Sequence, residues 1–225
     1  MNISRSVHRG RNPAASRGHV RVQGFSLVEL MITVLIVAIL TAIAWPSFRD
    51  FMHRNTVTAQ ANQVLASLQY ARNEAVSRRY PTGVCASAST GSTPPACDGG
   101  NAFDGGWIVW RSQALSISGV PSYNSGGASP DELLRVTQPQ TGISMESFGG
   151  SGGVTPGVIA FDQRGAVIGA GGAATNIVIC AKDKPGDSLG ANTDKVPGKY
   201  VRIDASGRIT IQNLASGAAC DAAPA

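Results

Sequence analysis

This sequence has little of what hydrolases and metalloenzymes rely on. Three His occur in 225 residues, and only His53 lies beyond residue 24. A Ser/His/Asp or Cys/His arrangement therefore has almost nothing to draw on. No His-Glu-x-x-His, phosphate loop or strict Gly-x-Gly-x-x-Gly pattern occurs. The four Cys (Cys85, Cys97, Cys180 and Cys220) include no Cys-x-x-Cys pair, which argues against zinc. Asp183, Asp187 and Asp194 share one segment, but their spacing fits no compact calcium loop. The reading is a protein that is not an enzyme and needs no cofactor or metal.

Two further absences are more telling. Residues 1–24 contain Arg5, Arg9, Arg11, Arg17 and Arg21 but no Asp or Glu. From Phe25 to Phe48 there are 24 residues, and Glu29 is the only charged one. As a helix that run spans roughly 36 Å, enough to cross a hydrocarbon core of about 30 Å. A basic segment followed by an apolar one is the pattern of an exported or anchored chain with a cytoplasmic N-terminus. A carboxylate inside such a run costs about 2.5–3.5 kcal/mol at the bilayer centre and less near an end. Glu29 therefore calls for an explanation.

Helix-compatible sequence continues to about Arg79. Val57, Ala61, Val64, Leu65, Leu68, Ala71 and Ala75 recur at three- and four-residue spacing, one apolar stripe on an amphipathic helix. Pro46 lacks a backbone donor and predicts a kink or local melting between the two halves. Tyr80-Pro81 ends the helix, because the residue before Pro is pushed away from helical angles. Beyond Pro81, short β-branched runs alternate with Gly, Pro and Asp. They predict strands at 82–86, 107–111, 133–137, 143–147, 158–161, 166–168, 177–180, 200–203 and 209–212, in antiparallel arrangement. Asp162-Gln163-Arg164-Gly165 and Asp204-Ala205-Ser206-Gly207 read as hairpin turns. The stretches 87–106, 112–130, 149–157 and 183–198 read as loops.

Gly24-Phe25-Ser26-Leu27-Val28-Glu29-Leu30, after a basic leader and before an apolar helix, resembles the prepilin processing site of type IV pilins and type II secretion pseudopilins. The resemblance implies that a prepilin peptidase cuts between Gly24 and Phe25 and that the new N-terminal Phe25 is methylated. It also implies that Glu29 pairs with the N-terminal amine of a neighbouring subunit. Residues 1–24 would then be a discarded leader and 25–48 the membrane and assembly half of the helix. Residues 49–80 would form its amphipathic half, and 81–225 a periplasmic β-rich domain. The expected fold is α+β, type IV pilin-like, with a long N-terminal helix packed on a mainly antiparallel sheet.

Cleavage changes the charge argument. The full chain carries 19 Lys and Arg against 14 Asp and Glu. Loss of the five leader Arg leaves fourteen of each, so net charge gives no argument for nucleic-acid binding. Four Cys in an oxidising periplasm allow three pairings. Cys85–Cys97, closing a local loop, and Cys180–Cys220, tying down the tail, are favoured, each adding on the order of 2–4 kcal/mol.

Several downstream segments are similar to the GspH/FimT branch of this superfamily. They are Ala71-Arg72-Asn73-Glu74-Ala75, Gly106-Trp107-Ile108-Val109-Trp110, Ile159–Gly165 and Tyr200–Ile209. The resemblance implies a minor pilin or pseudopilin, a structural subunit in the assembly or priming of a type IV pilus or a type II secretion pseudopilus. Its partners would be the prepilin peptidase, other pilins or pseudopilins, and the bacterial inner membrane. Some members of the branch bind DNA in natural transformation through a C-terminal Gly-Arg-x-Arg element. Here Gly207-Arg208-Ile209-Thr210 lacks the second Arg. The alternative of a pilus-borne DNA receptor thus rests on Arg208 with Arg202, Lys199, Lys182 and Lys184, which a Cys180–Cys220 bond would gather into one basic surface.

Overall fold

Helix α1 runs over Leu27–Arg78, 52 residues. The computed structural model describes residues 24–115, 122–126, 129–149, 157–169, 173–184 and 186–224. Most of the proposed leader therefore lies outside the described residues. The first intrahelical bond closes from Leu30 N–H to the Ser26 carbonyl at 3.1 Å. Helical conformation runs unbroken through Pro46, so no melted segment forms there. The fixed φ of proline suits a helix even though its ring removes one donor. The helix stops at Arg78, and Arg79 turns left-handed at φ 59° just before Tyr80-Pro81.

The chain divides into two compact units, Met1–Ala44 and Trp45–Ala225. In the first, the described residues are exposed throughout. In the second, α1 buries Val57, Ala61, Val64, Ser67, Leu68, Ala71 and Ala75. That is the expected stripe with Ser67 in place of Leu65, which is only half-buried.

Eight strands follow: β1 Thr82–Ala86, β2 Trp107–Arg111, β3 Glu132–Thr137, β4 Ile143–Gly149, β5 Val158–Phe161, β6 Thr175–Ala181, β7 Lys199–Ile203 and β8 Ile209–Asn213. They build two four-stranded sheets, ordered β3-β2-β1-β5 and β4-β6-β7-β8, rather than one. Every pairing is antiparallel. The expected strand at 166–168 reduces to a single bridge between Phe161 and Val167. The chain there turns back on β5 and leaves again too soon to build a ladder.

Alternation along the strands sends one face inward. Val84 of β1, Trp107 and Val109 of β2, and Ile159 and Phe161 of β5 join the helix stripe in the main core. Met145, Ile177, Ile179, Val201 and Ile203 join it from the other sheet. The opposite faces carry smaller clusters. Cys85, Ile108, Trp110 and Val158 form one, and Val178, Cys180, Tyr200, Leu214 and Cys220 the other. Each of these clusters holds a disulfide: Cys85 is bonded to Cys97, and Cys180 to Cys220 across 40 residues of sequence.

The two Asp-x-x-Gly turns join the sheets. Gly165 N–H donates to the Asp162 carbonyl, and Gly207 N–H to the Asp204 carbonyl. Both glycines are left-handed, with φ of 80° and 77°. They lie against each other so closely that a Cβ on Gly207 would stand 1.8 Å from the Gly165 carbonyl oxygen. Arg72 Nε of α1 donates to that same oxygen at 3.0 Å. One helical guanidinium thereby fixes the place where β5 and the β7–β8 hairpin meet.

Candidate functional site

The N-terminal segment is the first candidate. Gly24, Phe25 and every residue to Arg49 are exposed, Phe25 to 82% and Leu27 to 74%. Large contiguous apolar exposure marks a membrane or partner surface. Among the described residues, α1 is the one helix long and apolar enough to cross a membrane. Glu29 lies in its first turn. Ser26 and Glu29 have the spacing of a capping box, and a carboxylate there faces the positive end of the helix dipole. Glu29 is exposed and makes no side-chain hydrogen bond or ion pair among the described residues.

The basic residues do not gather as the sequence suggested, even with Cys180 bonded to Cys220. Arg202 pairs with Thr210 on β8 and with Asn176 on β6. Lys182 lies six residues beyond Asn176, about 20 Å along the strand direction. Lys182 Nζ is held by Asp104 Oδ2 at 3.0 Å, with its side chain only 13% exposed. Lys199 has the opposite strand parity to Arg202 and so points to the other face. Its Nζ donates to Asn213 Oδ1 at 2.8 Å. Arg202 Nε is taken by Asp204 Oδ1 at 3.0 Å. Arg208 and Lys184 are exposed and have no ion-pair partner among the described residues, but they sit at opposite ends of this sheet. The expected patch reduces to Arg208 with a partly neutralised Arg202.

Acids crowd the Lys182 end instead. Burial, with Asp104 and Asp221 nearby, pushes the Glu146 carboxyl above its ordinary range, and Lys182 opposes that shift. Asp187 Oδ2 accepts from Lys184 N–H and Asp194 Oδ1 from Ser216 Oγ. Among the described residues no His, Cys, Asp and Glu group is arranged to hold a metal.

Gly186-Asp187-Ser188-Leu189-Gly190 has the spacing of a nucleophile elbow. It lies in the loop after β6, and no helix follows it among the described residues. An elbow needs a strand-to-helix turn. Gly190 N–H is spent on Ser144 Oγ at 2.9 Å.

A further feature is a cleft of about 610 Å³ between the start of the helix within 45–225 and the loop after β6. Trp45, Arg49, Asp50 and His53 form one wall, and Asp183, Asp194 and Lys195 stand on the other.

Residues 60–207 match the family described as Type II transport protein GspH. The chain belongs to that family. In this GspH-family chain, residues 20–45 also match the prokaryotic N-terminal methylation motif. Two fimbrial proteins of Pseudomonas aeruginosa are each 48% identical over 44 residues. That is 20% of this chain and 29% of theirs, so the chain spans less than a third of the length of these curated relatives. Among solved structures, the type IV minor pilin FimU of Pseudomonas aeruginosa is similar at 20% identity. It covers 74% of this chain and 98% of its own, with a TM-score of 0.46. The minor pseudopilin EpsH of Vibrio cholerae is similar at 14% identity, over 72% of this chain and 98% of its own, with a TM-score of 0.37.

Proposed function

We propose that this GspH-family chain is a filament subunit, a minor pilin or pseudopilin, and not a catalyst. The carrying observation is the fully exposed apolar half of α1, with a single carboxylate five residues into the segment that follows Gly24. A prepilin peptidase removes the leader at Gly24–Phe25, and the amine of Phe25 is methylated. The subunit waits in the inner membrane with residues 25–48 in lipid and its disulfide-bonded domain in the periplasm. It then leaves the bilayer sideways into a bundle of like helices. There Glu29 meets the N-terminal ammonium of a neighbour, a pairing that offsets the desolvation of both charges in a low dielectric. The match to the methylation motif and to the GspH family supports this order of events.

Mass spectrometry of the full chain, co-expressed with a prepilin peptidase, tests the processing step. The expected mature species begins at Phe25 and carries one extra methyl group. Retention of residues 1–24 in the presence of active peptidase would sink the proposal. Deletion followed by parallel assays of twitching, DNA uptake and exoprotein release decides between a pilus and a secretion filament. The DNA-receptor reading retains one supporting observation, the exposed Arg208 in the turn just before β8, whose Thr210 pairs with Arg202. Arg208→Ala would abolish a salt-sensitive DNA complex on that reading, and no complex at low salt would end it.

A further inference from the structure

Glu29 is not among the residues that line the cleft beside Arg49. Trp45, Arg49 and His53 follow one another at four-residue spacing, so they line one face of α1. The facing loop contributes Asp194 and Lys195. Arg49 Nη2 donates to the Asp183 carbonyl, which ties this loop to the helix. A guanidinium has five donors, so the contact leaves others free. Asp50 and His53 are half-buried, and neither they nor Lys195 engage a hydrogen bond or ion pair among the described residues. Cations and acids thus line one cleft in comparable number without neutralising one another.

The place of this cleft along the chain is as informative as its charge. The apolar run ends at Phe48, one residue before Arg49. Trp45 is 73% exposed and Phe48 60%, and exposed aromatic residues at the end of a span settle at headgroup depth. We propose that the cleft holds the headgroup of a zwitterionic aminophospholipid such as phosphatidylethanolamine. Its phosphate lies on Arg49 and Lys195, and its ammonium on Asp50 and Asp194. A purely anionic lipid would satisfy the cations and leave the acids opposed. A bound headgroup would fix the depth and rotation of the subunit in the bilayer before it enters a filament. This inference rests on the reading of residues 25–48 as a membrane span.

Native mass spectrometry tests it on the full chain in detergent, offered equal amounts of phosphatidylethanolamine and phosphatidylglycerol. The expected result is one retained phosphatidylethanolamine in preference to phosphatidylglycerol. Arg49→Ala and Lys195→Ala should each weaken retention about tenfold, the scale of one charge-assisted hydrogen bond. Asp50→Asn should erode the preference for the amine headgroup. Equal retention of both lipids, unchanged in all three variants, overturns the inference. So does equally tight binding of water-soluble glycerophosphoethanolamine, which would make the cleft a site for a free phosphoester. Alkaline carbonate extraction separates the two ideas. A chain that stays with membranes but shows no headgroup preference overturns the lipid site alone, whereas a chain released by carbonate overturns the site and the span together.

Discussion

From Gly24 to Arg49 every residue is exposed, whereas between Val57 and Ala75 seven residues of α1 are buried. From Leu27 onward both stretches are helical, for different reasons. The later half is amphipathic and draws its stability from a core shared with two sheets. The earlier half is apolar all round and finds no core among the described residues, the signature of a helix suited to lipid or to other helices. In the later half, sequence changes should act on folding. In the earlier half they should act on location and assembly and leave the folding of the domain alone.

The sharpest way to break the later half is at the junction of the two turns. Gly207→Ala puts a methyl group into the Gly165 carbonyl at a left-handed φ, with cost on the order of 4 kcal/mol or more. Thermal unfolding of the full chain should show a domain that is unfolded or barely stable. A melting temperature close to that of the parent would mean that the turns are not rigidly docked.

A matched pair of truncations compares the halves directly. Leu68 is fully buried and Leu35 is 61% exposed. Leu68→Ala should cost about 2–5 kcal/mol by leaving a cavity, while Leu35→Ala should leave the domain's unfolding transition in place. Similar losses in both variants, read by circular dichroism, would erase the distinction between the halves.

The smallest effect expected is electrostatic. Glu146 has its pKa raised, mainly by burial and then by Asp104 and Asp221. A carboxyl with a raised folded-state pKa contributes stability below its unfolded pKa and loses it as pH climbs through the folded value. Glu146→Gln removes that loss. It should raise the melting temperature at pH 7 slightly, and the gain should shrink towards pH 4. A gain that is constant with pH would assign the effect to packing instead.

Much of this architecture was legible in the sequence because its signals are local. The bounds of β1, β2 and β5 are those expected from their β-branched and aromatic runs, and both Asp-x-x-Gly turns form where Asp and Gly stand. The division into two sheets was not legible, because it depends on which distant strands pair. Val167 shows the same limit, since a strand-like run of three residues became a single bridge. The basic cluster failed for a related reason. Register and strand parity place Lys182 and Lys199 away from Arg202, and Asp104 and Asp204 take up the nearby charges. The cleft was hidden because a loop more than a hundred residues downstream supplies its second wall. At the N-terminus, the methylation motif matched by residues 20–45 was legible because it lies in spacing along the chain and not in a tertiary arrangement.

The central claim is that Glu29 serves assembly between chains and not the fold of its own chain. Glu29→Ala, compared with the parent in sheared or purified filaments by immunoblot, tests it most directly. The account predicts normal leader removal, normal membrane content and an unchanged domain melting temperature, with incorporation into filaments largely lost. Parental levels of the processed variant in filaments would contradict it.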